Sequence, residues 1–224
     1  MVKNITIAID GPAGSGKSTA AKKIAEKLGF TYVDTGAMYR AVTYLSLREG
    51  IADNTDEVVK LARRIKLELK FENGLTRVFA DGEEVTDKIR TFEVNSKVSE
   101  ISVIPQVREE LVKIQRKMGE NGNIVAEGRD ITTVVFPNAD IKIFLTASVE
   151  ERANRRFREF QEKDNTITLE EVKENIEKRD RIDSSRETSP LRKAEGSIEI
   201  DNSNTAVEEE LEFLLKKIYE IQNR

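Results

Sequence analysis

Near its start the chain carries the segment Gly11-Pro12-Ala13-Gly14-Ser15-Gly16-Lys17-Ser18. The segment fits the pattern G-x-x-x-x-G-K-[ST], whose glycines allow successive backbone N–H groups to point inward at one anion. A short apolar run at 5–9 precedes it, and apolar residues at helical spacing follow it from Lys17 to Leu28. A strand, a glycine-rich loop and a helix in this order predict a polyphosphate site, because the helix adds the positive end of its dipole.

Three consecutive side chains, the last two of the segment and the one after it, are suited to bind a nucleoside triphosphate. Lys17 would reach the β- and γ-phosphates, the Ser18 hydroxyl would be a ligand of Mg²⁺, and Thr19 would donate to the α-phosphate. A GTPase is disfavoured, because the sequence contains neither a D-x-x-G nor an N-K-x-D motif. We therefore expect ATP, with Mg²⁺, on Gly11, Pro12, Ala13, Gly14, Ser15, Gly16, Lys17, Ser18 and Thr19.

The composition excludes several kinds of chemistry. The 224 residues include no cysteine and no histidine, so disulfides, thiolate metal sites and histidine bases are excluded. The formal net charge of -4 gives no reason to expect nucleic acid or an acidic membrane as a partner. No apolar run approaches about 20 residues, and Met1-Val2-Lys3-Asn4 leads into a strand-like run instead of a signal peptide. We expect a cytoplasmic protein.

The order of strands and helices predicts an α/β fold. Such alternation is typical of a parallel sheet covered by helices on both faces, here a three-layer α/β/α arrangement. Between about Lys66 and Val85 the apolar period changes to two, with turn pairs at Asn73-Gly74 and Asp81-Gly82, which predicts a small antiparallel insertion. The strands expected in the parallel sheet are 5–9, 31–34, 124–126, 141–145 and 197–201.

Several arginines fall near the expected ligand edge of the sheet. Arg40 follows the second strand, Arg129 follows the strand at 124–126, and Arg179, Arg181 and Arg186 cluster beyond the very polar segment at 150–162. In an open α/β sheet the ligand crevice lies beyond the carboxyl ends of the strands. Because a guanidinium group binds phosphate oxygens bidentately and stays charged, these residues predict a second phosphate site.

A very polar helix is predicted from Glu150 to Glu162. Arg152, Arg155 and Arg156 share one of its faces, since they are spaced at i, i+3 and i+4. One interpretation is a mobile lid that covers the phosphates and keeps water from the transferred phosphoryl group. The other is a surface helix whose arginines pair with neighbouring glutamates.

Six motifs occur in one order along the chain: Ile7-Ala8-Ile9-Asp10-Gly11-Pro12, Asp34-Thr35-Gly36-Ala37-Met38-Tyr39-Arg40, Gly128-Arg129-Asp130, Val134-Val135-Phe136-Pro137, Ala147-Ser148-Val149-Glu150-Glu151-Arg152, and Arg179-Asp180 through Arg186. In these motifs and their order the sequence resembles bacterial cytidylate kinases, which are P-loop nucleoside monophosphate kinases. The resemblance spans essentially the whole chain. Two positions differ from the family's pattern, because Glu127 stands where the family usually has Asp and Thr132 where it usually has Gly.

The resemblance implies one kinase unit with a P-loop core, a monophosphate-binding domain and a short lid. The core would comprise 1–35, 111–150 and 165–224, the monophosphate-binding domain 36–110 and the lid 151–164. The resemblance further implies that a monomer transfers the γ-phosphoryl group of ATP to CMP, and to dCMP as well.

The same resemblance assigns residues to each part of the site. Phosphoryl transfer would depend on Lys17, Arg129, Arg152, Arg156 and Arg186. The acceptor nucleotide would be bound by Thr35, Ser99, Arg108 and Asp130 at the cytosine, by Arg179 and Asp183 at the ribose, and by Arg40, Arg129 and Arg186 at the phosphate.

This assignment agrees with the chemistry of cytidine monophosphate. A carboxylate such as Asp130 suits the N4 amine, while Arg108 and Ser99 can donate to N3 and O2. The nucleophile is a phosphate oxygen, already ionised near neutral pH, so no histidine base is needed. Two alternatives stay open: a kinase for another monophosphate or small acceptor, and a regulatory module that uses ATP as a switch.

Overall fold

The computed structural model of the chain describes residues 4–72, 74–161 and 166–222. The strands are β1 (Thr6–Asp10), β2 (Thr31–Asp34), β3 (Leu67–Glu72), β4 (Leu75–Ala80), β5 (Glu83–Glu84), β6 (Ile124–Gly128), β7 (Ile141–Thr146) and β8 (Ile198–Asp201). The helices are α1 (Lys17–Leu28), α2 (Thr35–Arg48), α3 (Thr55–Arg64), α4 (Phe92–Ser102), α5 (Pro105–Met118), α6 (Val149–Gln161), α7 (Leu169–Ser185) and α8 (Val207–Gln222). A 3₁₀ turn spans Lys88–Arg90 and a π-helical turn spans Ile131–Val135.

The central sheet has five parallel strands in the order β2-β6-β1-β7-β8. This confirms the predicted parallel sheet. Asp10 at the end of β1 pairs in register with Gly128, and Asp34 at the end of β2 pairs with Glu127. The carboxyl ends of β1, β2 and β6 therefore finish level, and the residues that follow them meet at one edge.

Helices cover both faces of this sheet, because alternate residues of a strand point to opposite sides. On one side Ile7 and Ile9 pack in a buried cluster with residues of α1 and α8, such as Ile24 and Leu214. On the other side Ala8 belongs to a separate cluster that includes residues of α5 and the π-helical turn. Burial on both faces explains why the central strands β1 and β6 contain continuous apolar runs. The three-layer α/β/α prediction is confirmed.

The predicted antiparallel insertion is a three-stranded sheet in the order β3-β4-β5. Val78 and Val85 are fully buried in one cluster with residues of α2 and α3, so the insertion packs on helices beside the main sheet. The first predicted turn includes Asn73, which lies outside the described residues. The predicted core and lid boundaries also include 1–3, 162–165 and 223–224, which lie outside them as well.

Two features of the helices were not expected from periodicity. Helix α7 begins at Leu169 because Thr168 and Glu171 form a reciprocal capping box at its start. The π-helical turn after β6 is anchored at its start by the carboxylate of Asp10, which accepts the backbone N–H groups of both Ile131 and Thr132, each at 2.8 Å. None of the described helices is long and apolar enough to cross a membrane.

Candidate functional site

The glycine-rich loop connects β1 to α1, as predicted. Gly14 and Gly16 adopt φ angles of 75° and 87°, a left-handed conformation that glycine reaches without steric cost. A Cβ on Gly14 would lie 2.9 Å from the carbonyl oxygen of Arg152, so a larger residue would displace α6. Lys17 Nζ donates to the Pro12 carbonyl at 2.7 Å and lies 3.3 Å from Ser15 Oγ. The ammonium group therefore lies over its own loop.

The environment of Lys17 disfavours its charge. Burial lowers the pKa of the Lys17 ammonium to about 7, and repulsion from Arg129 adds to the effect, while Glu127 and Asp10 oppose it. A polyphosphate beside Lys17 would supply the negative charge that restores the protonated form. This is the electrostatic state expected of a lysine that binds an anion.

Ser18 contacts an acidic residue at the end of β6. Ser18 Oγ donates to Glu127 Oε1 at 2.5 Å, and Tyr32 Oη donates to the same oxygen at 3.1 Å. Mg²⁺ in nucleotide enzymes commonly takes one or two protein oxygens and completes its shell with phosphates and water. A hydroxyl and a carboxylate side by side at a phosphate loop fit that requirement.

One cavity lies beyond the carboxyl ends of β1, β2 and β6, between the loop and helices α2, α4, α6 and α7. Its lining combines many charges and carries an excess of positive ones. The cationic residues are Lys17, Arg40, Arg108, Arg129, Arg156, Arg179 and Arg186, and the carboxylates are Asp34, Glu127, Asp130 and Asp183. Thus Arg40, Arg129, Arg179 and Arg186, which lie in separate segments of the sequence, line one cavity. Arg181 is exposed and is not among the lining residues.

Four of these arginines carry a buried N–H group with no acceptor among the described residues: Arg40 Nε, Arg108 Nε, Arg179 Nε and Arg186 Nη2. Burial lowers the pKa of Arg40 and Arg186, and burial followed by repulsion from Arg129 lowers that of Arg179 to about 9. Buried donors are nearly always satisfied in folded proteins. Unfilled donors on crowded cations indicate an anion site.

Asp183, predicted for the ribose, contacts two of the arginines predicted for the acceptor phosphate. Arg129 Nε donates to Asp183 Oδ2 at 2.9 Å, and Arg186 Nη1 lies 3.9 Å from Asp183 Oδ1. Burial alone would raise the pKa of Asp183, but Arg129, Arg179 and Arg186 outweigh it and lower the pKa. Arg40 is held differently, since its Nη2 pairs with the carboxylate of Asp34 at 3.0 Å.

Two of the residues predicted for the base form a buried ion pair in the cavity. Arg108 Nη2 donates to Asp130 Oδ2, and Arg108 Nη1 donates to the Ser102 carbonyl at 3.0 Å. The Arg108 guanidinium lies 5.3 Å from the centre of the Tyr39 ring. Ser99 lines the same region and is buried. Arg108 and Asp130, which are 22 positions apart, thus form one buried pair.

The three arginines predicted to share one face of α6 have separate surroundings. Arg156 lines the cavity and its Nη2 donates to Asn95 Oδ1. Arg152 is not among the lining residues; its guanidinium donates to the carbonyls of Ala147 and Ala13 at 2.9 and 3.1 Å and pairs with Asp180.

Arg155 binds Glu151 at 2.8 Å and Asn202 at 3.0 Å. Arg156 also pairs with Glu159. The helix therefore contains glutamate pairs expected of the salt-bridged alternative together with one arginine in the cavity. Both interpretations of α6 remain predictions.

The cavity lining includes only part of the predicted ATP-binding loop. Among the loop residues only Ala13, Gly14, Lys17 and Ser18 contribute to the lining, and Thr19 is exposed. Thr35 does line it, and its hydroxyl donates to the Glu127 carbonyl at 2.7 Å.

Sequence reasoning did not assign Tyr39 or Ser102, which also line the cavity. Tyr39 belongs to the quoted motif before Arg40, so its position was a usable signal. Nothing in the local sequence marks Ser102.

The sequence as a whole matches the model of one protein family, described as cytidylate kinase, over residues 7–220. The chain belongs to the cytidylate kinase family. It is 52% identical to the cytidylate kinase of Caldanaerobacter subterraneus subsp. tengcongensis, over 96% of this chain and 93% of that protein. It is 48% identical to the cytidylate kinase of Bacillus subtilis, over 97% of this chain and 98% of that protein. Like these relatives, it is a nucleoside monophosphate kinase.

The fold recurs in a protein of much lower sequence similarity. An uncharacterized protein from Eubacterium ventriosum superposes with a TM-score of 0.52 at 15% identity, covering 97% of this chain and 99% of that one. That likeness concerns the fold alone.

Proposed function

We propose that the protein transfers the γ-phosphoryl group of ATP directly, in line, to the phosphate of CMP or dCMP. The observation that carries the proposal is one cavity in which the phosphate loop, an arginine cluster with unfilled donors and the buried Arg108–Asp130 pair are neighbours. A donor phosphate, an acceptor phosphate and a pyrimidine edge each have chemically suited groups there.

The donor nucleotide would lie on the loop from Gly11 to Thr19. Backbone N–H groups and the N-terminus of α1 would bind the phosphates, and Lys17 would neutralise the transferred group. Ser18, with Glu127 beside it, would hold Mg²⁺. The ion would supply charge neutralisation at the β- and γ-phosphates.

The acceptor phosphate would be bound by Arg40, Arg129 and Arg186. Its attacking oxygen carries negative charge near neutral pH, so no residue has to remove a proton. Catalysis then requires that the two anions are aligned and that the charge of the transition state is neutralised. A single arginine can contribute roughly 10³ to 10⁵ in rate to that neutralisation. Lys17, Arg129, Arg156 and Arg186 line one cavity and fit this role.

Cytosine would be selected by the Arg108–Asp130 pair together with Ser99, with Thr35 close by. Asp130 can accept from the N4 amine, and donors on Arg108 and Ser99 suit N3 and O2. Uracil presents a carbonyl in place of that amine and would face a carboxylate. Arg179 and Asp183 would bind the ribose.

Helix α6 would serve as part of a lid over 151–164. A covered site keeps water from taking the phosphoryl group and completes the catalytic set only when the acceptor is bound. Arg152 would act from the loop side, because its guanidinium contacts the Ala13 carbonyl and Asp180. Arg156 would act from the cavity.

The proposal includes a cytoplasmic monomer whose partners are ATP and CMP or dCMP and that binds neither nucleic acid nor membranes. ATP and free nucleoside monophosphates are substrates of the cytoplasm. Sedimentation of the purified chain with and without nucleotides would test the monomer.

An acceptor screen tests the function. The protein is incubated with ATP, Mg²⁺ and each nucleoside monophosphate in turn, and ADP and the new diphosphate are measured. We expect CDP and dCDP, with much less product from UMP. Preference for another monophosphate would overturn the cytosine assignment, and ATP binding without acceptor-dependent ADP would favour a regulatory switch.

A further inference from the structure

A hydrogen bond joins the lid helix α6 to α4. Arg156 Nη2 donates to Asn95 Oδ1 at 2.6 Å, and Asn95 Nδ2 donates to the Thr91 carbonyl at 2.7 Å. Asn95 is fully buried. Because a carbonyl only accepts and a guanidinium only donates, the amide has one orientation that satisfies both neighbours. Asn95 thus presents its oxygen to Arg156.

Aromatic packing supports the same contact between the two helices. The Arg156 guanidinium lies 5.0 Å from the centre of the Phe160 ring, and Phe160 packs edge-on against Phe92 with ring centres 5.5 Å apart. Phe92 and Asn95 are three positions apart on α4, so they lie on one side of it. The ion pair of Arg156 with Glu159 is at the surface and contributes little. The contact with the buried Asn95 of α4 is therefore the one that directs Arg156.

Helix α4 also carries a residue of the acceptor site. Ser99 follows Asn95 by four positions, so the two share one face of the helix. Ser99 and Arg156 both line the cavity, whereas Asn95 is not among the lining residues. One helix therefore holds a predicted base contact and, through Asn95, the lid arginine.

We propose that Asn95 is a positioning residue that directs Arg156 into the cavity and connects the acceptor helix to the lid. The inference rests on the proposed function, because it assigns Arg156 to the phosphoryl transfer. Asn95 acts only through Arg156 and does not touch substrate. Its loss should therefore lower kcat and leave the KM values of ATP and CMP nearly unchanged.

The first test compares three variants. Asn95→Ala should lower kcat about tenfold, the effect expected when a hydrogen bond to a charged group is lost in the transition state. Asn95→Asp keeps an acceptor for Arg156 and should have a kcat closer to wild type than to Asn95→Ala. Asn175→Ala removes a different contact of α4, the 3.1 Å bond to Ser96 Oγ, and should leave kcat unchanged. Equal losses in Asn95→Ala and Asn175→Ala would overturn the inference.

A double-mutant cycle separates positioning from general stability. In an Arg156→Ala background, Asn95→Ala should have no further effect on kcat; an independent, multiplicative loss would overturn the inference. If Asn95→Ala does not fold, Asn95→Ser replaces it in the same cycle, with thermal unfolding measured in parallel. A wild-type chain with no CMP-dependent ADP formation overturns the proposed function and this inference with it, while an active chain with multiplicative losses overturns the inference alone.

Discussion

Ser18 Oγ donates to Glu127 Oε1 across 2.5 Å, which joins the phosphate loop to the end of β6. The two residues are 109 positions apart in the chain. Their contact places Glu127 beside the proposed magnesium ligand. Two roles can be considered for Glu127 there: ordering the ion, or supporting Arg129. The contact favours the first role and can be tested directly.

Glu127→Gln should weaken the use of Mg²⁺, because a carboxamide keeps the shape of the side chain but loses its negative charge. We expect the half-saturating Mg²⁺ concentration to rise about 10- to 100-fold, the usual cost of losing a residue that supports a metal site. The KM for CMP should change little. Tyr32→Phe removes the other hydroxyl bound to the same oxygen and serves as the matched control. An unchanged Mg²⁺ dependence, or an equal change in Tyr32→Phe, would contradict the role.

ATP binding should take up protons near pH 8. The pKa of Lys17 is lowered to about 7, so Lys17 is mostly neutral at pH 8, and bound phosphates would raise that pKa and protonate it. By linkage, ATP affinity should fall as pH rises above about 7. Calorimetry in buffers of different ionisation enthalpy would measure the uptake.

Lys17→Ala should abolish this proton uptake and lower turnover by orders of magnitude with the fold intact. Lys23→Ala, which removes a surface lysine of the same helix paired with Glu208, should change neither quantity. Near-native turnover of Lys17→Ala would refute the assignment.

Asp130→Ala should impair the use of CMP far more than the use of ATP. The substitution removes the proposed acceptor for the cytosine amine and leaves Arg108 without its buried partner. Loss of one base contact is worth about 1–3 kcal/mol, which predicts a KM for CMP raised roughly 10- to 100-fold. Asp130→Asn, which exchanges one acceptor for a donor at constant shape, should fail with CMP as well. Unchanged KM and kcat for CMP would show that Asp130 does not recognise the base.

Thr132→Val should destabilise the protein through Asp10. Thr132 Oγ1 donates to Asp10 Oδ2 at 2.5 Å, and burial raises the pKa of Asp10 to about 6 despite the bonds from Thr132 and Ile131. Loss of the hydroxyl should lower the free energy of unfolding by about 1–2 kcal/mol. Thr133→Val, whose hydroxyl makes only a 3.5 Å contact with the Asp130 carbonyl, is the neighbouring control.

The effect of Thr132→Val should depend on pH. Because the folded pKa of Asp10 lies above that of an unfolded aspartate, the folded state binds more protons between about pH 4 and 6, and stability from this group falls as pH rises through that range. The lost hydroxyl would raise the pKa further. Urea unfolding should therefore show a larger loss at pH 8 than at pH 4, and equal losses at both would contradict the link to Asp10.

Helix α6 shows what helical periodicity can and cannot predict. Spacing predicts that Arg152, Arg155 and Arg156 share one face of α6, yet only Arg156 lines the cavity. Because arginine has a long side chain, the position of its guanidinium group depends on which hydrogen-bond acceptors lie within reach. Those acceptors are the Ala13 carbonyl, Asn202 and Asn95, which come from three distant segments.

The phosphate loop, the parallel sheet and the antiparallel insertion could be predicted from the residues alone, because each depends on the spacing of nearby residues: glycines, apolar positions and turn pairs. Family resemblance supplied the roles at the acceptor site. The contacts Ser18–Glu127, Arg108–Asp130 and Asp10–Thr132 span 109, 22 and 122 positions and depend on strand register and packing. Only the tertiary structure could decide them, because local spacing carries no information on which side chains from distant segments meet.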